Sequence, residues 1–268
     1  MSDTATVPPV VIQPEATRPR TEGLFYVGAG AFVIILNIGG FLPSFVDQSK
    51  RLGEPTWLVL THGALAGAWL LLFLVQAVLI ATRRTAVHRR LGVVGPFLAL
   101  GMIAIGSLMV VEMARRGFDL SGDIARVLTP PGAPPPPAED AAAQMLSPLL
   151  AFANFGILNG LGLWFRHRPA LHKRLMFLAF APLVVTPLIH LSGYLIGLWP
   201  GLHAPLTIAV TVLVNALPFA VAVHDRRSHG RIHPVSLWVP ILLLVQPIGI
   251  ALVMSSAGWR RLAMWLAS

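Results

Sequence analysis

The sequence predicts an all-α protein that lies in a membrane as a bundle of seven transmembrane helices. Of its 268 residues, 55% are hydrophobic and only 12% are charged, whereas soluble domains contain about 25% charged residues. A helix needs about 20 mainly apolar residues to cross a bilayer. Seven such runs are present, at residues 23–46, 57–82, 91–111, 145–165, 175–197, 205–223 and 237–257.

Composition and pattern exclude several other classes of protein. The apolar runs do not alternate with polar residues, as the strands of a membrane β-barrel do. The chain has no cysteine, which excludes disulfides, thiolate metal sites and catalytic cysteines. The net charge of +9 comes from short loops at helix ends, a position typical of lipid contact rather than nucleic-acid binding. No GxSxG, HExxH or Walker motif is present, which favours a protein that is not an enzyme.

Two segments differ from the membrane domain in composition. Residues 1–22 are rich in proline and polar residues, which predicts a disordered cytoplasmic tail before a transmembrane domain over residues 23–268. Residues 113–144 form the one long loop, which contains a proline-rich stretch at 129–137. Consecutive prolines favour an extended helix that acts as a semi-rigid spacer on the outer face. The alternative is a docking site for a partner protein.

The distribution of lysine and arginine predicts the orientation of the chain. Basic residues are concentrated before the first span and between spans two and three, four and five, and six and seven. Because positively charged short loops stay in the cytoplasm, we expect a cytoplasmic amino terminus and a periplasmic carboxyl terminus in the inner membrane of a bacterial-type cell. Trp259, Arg260, Arg261 and Trp265 are then expected at the outer interface, as anchors of the last turns.

The three basic loops predict an internal repeat. Their ends are Thr85-Ala-Val-His88-Arg-Arg-Leu91, Pro169-Ala-Leu-His172-Lys-Arg-Leu175 and Gly230-Arg-Ile-His233-Pro-Val-Ser-Leu237. We interpret spans two and three, four and five, and six and seven as three parallel hairpins behind one leading helix. Since the third copy matches least well, the alternative is two repeats plus a divergent pair. We interpret the loop histidines as solvated or bound to lipid phosphate, because one histidine per loop gives no metal-ligand spacing and the nearby arginines repel a cation.

These loop motifs resemble those of a known group of proteins. The motifs His88-Arg-Arg-Leu-Gly92, Leu171-His-Lys-Arg-Leu-Met176 and Gly230-Arg-Ile-His-Pro234 after Asp225 are similar to those in uncharacterised polytopic inner-membrane proteins of bacteria. The resemblance implies the architecture of a multi-pass membrane protein, and it implies no functional residue.

Two histidines inside the predicted spans suggest a cofactor. His62 lies about 8 Å and His190 about 10 Å below the outer ends of spans two and five, given a rise of about 1.5 Å per residue. A b-type haem is commonly held between two such imidazoles. We therefore predict haem b between His62 and His190, with Trp69 and Tyr194 against the macrocycle. The haem would exchange electrons with quinone or with a periplasmic partner.

Two other interpretations of these histidines remain open. In the first, His62, His190 and Glu112 together hold a divalent metal ion, although no His-x-x-His or Glu-x-x-His pair supports it. In the second, both histidines only hydrogen-bond to neighbouring helices, which stabilises the bundle by about 0.6 kcal/mol each.

A group of polar side chains nearer the midplane suggests a different function, the transport of a small molecule. Proline residues in the same spans are expected to bend or break helices around a substrate cavity. The chain offers no membrane-embedded acid for proton coupling, since Asp225 is expected to form a surface ion pair with Arg226 and Arg227. The predicted cavity residues are Asn154, Thr207, Thr211, Asn215 and Gln246.

Overall fold

The computed structural model describes residues 20–46, 54–116, 127 and 137–268, and these contain helices and turns but no strand. The predicted tail up to residue 19 and stretch 128–136 of the long loop lie outside the described residues. Seven helical segments are long and apolar enough to cross a membrane, which confirms the prediction of an all-α, multi-pass membrane bundle. They are Gly23–Pro43, Trp57–Ala81, Thr85–Arg115, Leu146–Trp164, Pro169–Leu198, Pro200–His229 and Pro234–Met254.

The described α-helices are numbered here in chain order. They are α1 (Arg20–Val46), α2 (Trp57–Ala81), α3 (Thr85–Leu91), α4 (Val94–Arg115), α5 (Ala138–Ala143), α6 (Leu146–Trp164), α7 (Pro169–Phe180), α8 (Val185–Leu198), α9 (His203–Ala216), α10 (Ala220–His229), α11 (Pro234–Met254) and α12 (Ala257–Ala267).

Spans three, five and six each consist of two consecutive helices. The 3₁₀ segment Ala181–Val184 joins α7 to α8, and Leu217–Phe219 joins α9 to α10. Each segment contains a proline, Pro182 or Pro218, which has no N–H for the α-helical hydrogen bond. The prolines therefore convert the α-helix locally into a tighter turn without ending the span.

Five spans form a closed ring. Helix α1 packs against α2, α2 against α4, α4 against α6, and α6 against α7, while α8, which continues the span of α7, packs back against α1. Spans six and seven lie outside the ring, where α9 contacts α8 and α11 contacts α7. Apolar side chains on these two outer spans, such as Ile208 and Leu252, are exposed, as expected for helices that face lipid.

Aromatic side chains fill the centre of the ring. Phe73 and Phe180 stack with ring centroids 4.0 Å apart, and Trp69 meets Phe155 edge to face at 5.1 Å. The cluster includes buried residues from all five spans of the ring. These aromatic side chains interdigitate in a close-packed interior, and their contacts determine how the five spans pack together.

The two ends of the bundle differ in charge. The short connections at 82–84, 165–168 and 230–233 are rich in arginine, and we call this the basic end and the opposite one the far end. At the far end α12 packs on α5 and α4. There Arg260 pairs with Glu139 at 3.2 Å and with Asp140 at 2.8 Å.

Candidate functional site

His62 lies on α2, two turns before Trp69 on the same helix face, in the half of the span nearer the far end. Its ring meets Phe152 of α6 edge to face, with centroids 5.4 Å apart. The Nδ1 atom of His62 is buried and has no hydrogen-bond partner among the described residues. His62 is thus a polar side chain with one buried nitrogen that lacks a hydrogen bond within the described chain.

His190 lies on α8 and is half-buried. Its ring lies 5.0 Å from that of Phe41 on α1. Tyr194 follows one turn later on α8 and is also half-buried. Trp69, the other residue predicted to contact the cofactor, is 2% exposed and packs among the phenylalanines of the ring centre.

Contacts with α1 give the relative depth of the two histidines. Gly23 and Gly30 of α1 approach Ala81 and Leu74 of α2, so the two helices run antiparallel and His62 lies level with residue 42. On the other side of α1, Gly40 contacts Pro187 and Phe41 contacts His190. Both histidines are therefore level with the same turn of α1, around residues 41–42.

Glu112 does not join these two histidines in a metal-binding cluster. It lies near the end of α4 and forms an ion pair with Arg116 at 3.7 Å. In the described part of the chain, no three His, Asp or Glu side chains are grouped so as to hold a metal ion.

The structure brings together only two of the five predicted cavity residues. Asn154 Nδ2 donates a hydrogen bond to Gln246 Oε1 at 2.7 Å, which joins α6 to α11. The other three lie along α9, where Thr211 Oγ1 donates to the carbonyl oxygen of Thr207 and Asn215 Nδ2 donates to that of Thr211. The side chains of Thr211 and Asn215 thus bond within their own helix, whereas Thr207 Oγ1 is buried without a partner among the described residues.

Two cavities lie elsewhere. One of about 390 Å³ is an apolar groove between α1 and spans five and six, lined by residues that include Phe25, Phe32 and Leu217. The other, about 480 Å³, lies at the far end, between Trp57, Glu112 and α12. Neither is lined by His62 or His190.

A buried ionic network at the basic end corrects the prediction for Asp225. Asp225 is 0% exposed and pairs with Arg174 of α7, instead of forming a surface ion pair with Arg226 and Arg227. It also accepts hydrogen bonds from Ser236 Oγ at 2.6 Å and from the backbone N–H of His233 at 3.2 Å. The prediction was wrong because Arg226 and Arg227 are exposed, whereas the side chain of Asp225 faces α7 and α11.

Two further polar side chains adjoin this network. The ring of His224 stacks on Phe25 with centroids 4.2 Å apart, and Tyr26 meets His224 edge to face at 5.9 Å. Neither His224 Nε2 nor the hydroxyl of Tyr26 has a hydrogen-bond partner in the ranges that the structure describes.

His233 belongs to this network and also caps the first turn of α11. Its Nδ1 accepts a hydrogen bond from the backbone N–H of Val235 at 3.2 Å, at the start of α11. Burial lowers the pKa of His233, and the positive charge of Arg174 lowers it further, against the opposing effect of Asp225. The ring is therefore held in its neutral form, which is the form that caps.

His88 and His172, the equivalent residues of the first two basic loops, lie side by side. Each is the fourth residue of its helix, α3 or α7, and their ring centroids are 6.3 Å apart. His172 Nδ1 lies 2.7 Å from the carbonyl oxygen of Gly162. The repeat in the sequence predicts these histidines but not their pairing, since a repeat does not state which copies are neighbours in space.

Comparisons with protein families, with characterised proteins and with solved structures find no match to this chain.

Proposed function

We propose that this membrane protein is a redox protein that binds a b-type haem between His62 and His190, in the half of the ring nearer the far end. The observation that best supports the proposal is their shared depth on two helices that both pack against α1. Two imidazoles at one level on different spans are the arrangement that bis-histidine haem ligation requires.

The state of His62 also favours a ligand. A buried nitrogen without a partner costs about 1 to 3 kcal/mol of desolvation, and the described residues offer His62 Nδ1 no compensating hydrogen bond. Coordination of an iron ion by Nδ1 would give this atom a partner and orient the ring. A ligand bound at Nδ1 would thus offset the desolvation cost of this buried atom.

Two phenylalanine rings must turn aside for a macrocycle to enter. Phe152 lies against His62, and Phe41 lies against His190. Both phenylalanines are half-buried, and the ring of Phe152 would have to leave its close contact with Gly106 of α4. Once turned, they would offer the apolar, polarisable contacts that a haem prefers in a protein interior.

Transport has less support. The side chains of Thr211 and Asn215 bond along α9. The hydrogen bond between Asn154 and Gln246 joins α6 to α11 and does not involve the three predicted cavity residues on α9. A haem that transfers electrons needs a redox partner, and we propose a quinone or a periplasmic electron carrier in that role.

An absorbance spectrum tests the proposal directly. Protein expressed with ample haem and purified in detergent is expected to show a Soret band and, on reduction, separate α and β bands. His62→Ala and His190→Ala should each lose these bands, whereas His167→Ala, which removes an exposed histidine of a basic loop, should keep them. Absence of pigment from the parent protein, even after reconstitution with hemin, would disprove the assignment.

A further inference from the structure

We infer that His88 and His172, together with Gln76, form a binding site for a first-row transition-metal ion at the basic end of the bundle. This site is distinct from the one around His62 and His190, and it does not depend on haem binding. Its three residues come from α3, α7 and α2, so the ion would connect the second, third and fifth spans.

The distance between the two rings leaves room for one atom between them. Two imidazoles that hydrogen-bond directly have nitrogens about 3 Å apart, which places their ring centres roughly 5 Å apart. The centroids of His88 and His172 are 6.3 Å apart and the rings are nearly perpendicular, at 80°. An ion bound at about 2.0 Å from a nitrogen of each ring gives centre separations of roughly 5 to 6 Å, so a small rotation of either side chain suffices.

The hydrogen bond of His172 leaves one ring nitrogen for coordination. The carbonyl oxygen of Gly162 can only accept, so the Nδ1 atom 2.7 Å away must hold the hydrogen. In the neutral imidazole, Nε2 is then the nitrogen with the lone pair. Metal-bound histidines commonly donate their other ring N–H to a backbone carbonyl in this way, which fixes both the tautomer and the ring orientation.

Two buried polar atoms, one on His88 and one on the side chain that bonds to its backbone, have no partner in the described chain. They are Nδ1 of His88 and Oε1 of Gln76, neither of which is hydrogen-bonded within the described chain. The Nε2 atom of Gln76 donates to the backbone carbonyl of His88 at 3.1 Å, so the amide is held beside this histidine. An imidazole nitrogen and an amide oxygen thus remain for a ligand, and imidazole suits copper, nickel and zinc.

The local charge does not exclude a cation. Arg89 and Arg90 follow His88 and are exposed to solvent, where salt screens their field. Lys173 follows His172 and is half-buried, so its charge lowers the affinity of the site for a cation. The buried guanidinium of Arg174, two residues after His172, is neutralised by Asp225. Because the described residues hold no cluster of three His, Asp or Glu, we assign the remaining coordination positions to water and expect moderate affinity.

Copper binding tests the site. Cu²⁺ is the probe of choice, since it binds nitrogen ligands most tightly among the divalent ions of this row. The protein, freed of any histidine tag, should bind one Cu²⁺ in detergent, and its electron paramagnetic resonance spectrum should show coupling to two nitrogens. His88→Ala and His172→Ala should each lower the affinity at least tenfold, whereas His167→Ala should leave it unchanged. Gln76→Leu should weaken binding less than either histidine variant.

Several results would overturn the inference. These are no Cu²⁺ binding by the parent protein, a spectrum without nitrogen coupling, or equal affinity in His88→Ala and His167→Ala. Size-exclusion profiles and circular dichroism of each variant show whether it is folded, and the spectrum of the parent protein tests the site without any variant. His62→Ala should still bind Cu²⁺ at this site even if the haem proposal fails, so the two proposals are tested separately.

Discussion

Arg174 and Asp225 form a bidentate ion pair inside the bundle. Arg174 Nε donates to Asp225 Oδ2 at 2.9 Å, and Nη2 donates to Oδ1 at 2.5 Å. The side chains are only 6% and 0% exposed. Because Ser236 also donates to Asp225, a single carboxylate joins α7, α10 and α11, and it ties the two outer spans to the ring.

We expect Asp225→Asn to destabilise the protein by about 3 to 5 kcal/mol, because it leaves the guanidinium of Arg174 buried without a counter-charge. The midpoint of chemical or thermal unfolding in detergent measures the loss. Glu139→Gln is the matched control, since it removes one carboxylate from the half-exposed pair with Arg260 and should cost less than about 1 kcal/mol. Equal midpoints for the two variants would show that the buried pair does not stabilise the fold.

Gly40 allows α1 and α8 to pack closely. A Cβ atom at this position would collide with the backbone of Pro187, whereas one at Gly39 would meet nothing within 4 Å. We expect Gly40→Ala to lower the free energy of unfolding by about 1 to 3 kcal/mol, because the two backbones must move apart. Gly39→Ala should be neutral or slightly stabilising, since alanine favours a helix. The free energies of unfolding of both variants, measured in parallel with the parent protein, test this expectation. A Gly40→Ala protein as stable as the parent would contradict the close contact.

These glycines show why packing was harder to predict than the spans. The seven spans follow from length and hydropathy, which are local properties of the sequence. The pair Gly63 and Gly67 has the spacing of a helix-packing motif, yet a Cβ at either position would meet no atom within 4 Å. Close packing occurs at Gly40 and at Gly106, which faces Phe152, because neighbours in the ring decide which faces meet.

The candidate sites show the same limit. The depths of His62 and His190 were predictable, since a helix has a constant rise per residue and both lie a few turns from a loop. The partner of Asp225 was not, because Arg174 lies 51 positions away and both residues belong to basic segments that look solvated in sequence. His88 and His172 were visible as a repeat, but their contact depends on the ring order of the spans.

A hydrogen bond from Trp259 anchors α12 at the far end of the bundle. Its indole Nε1 donates to the carbonyl oxygen of Ala143 at 2.9 Å, at the end of α5. We expect Trp259→Phe to remove about 1 kcal/mol and to speed hydrogen exchange of the α12 amides roughly fivefold. Mass spectrometry of peptides from 257–267 measures the change. Trp265→Phe, at a side chain 70% exposed, should leave exchange unaltered, and an equal effect of both variants would contradict the anchoring role.

His233 makes stability depend on pH. Burial and Arg174 lower the pKa of its ring in the folded protein, so the unfolded chain binds a proton more readily, with a pKa of about 6.5. The contribution of His233 is therefore fully present above about pH 6.5 and is lost as the pH falls from there through the lower folded-state pKa. Protonation also removes the Nδ1 acceptor that caps α11.

His233→Asn isolates this contribution, because asparagine caps helices well and does not titrate. We expect the parent protein to lose stability more steeply than the variant between pH 7.5 and pH 5, while the two are similar near pH 7.5, where both caps are neutral. Unfolding midpoints across this range measure the difference. His167→Asn, at an exposed histidine, should follow the parent curve. A parent protein and a His233→Asn variant with parallel curves would show that the cap remains intact when the pH falls.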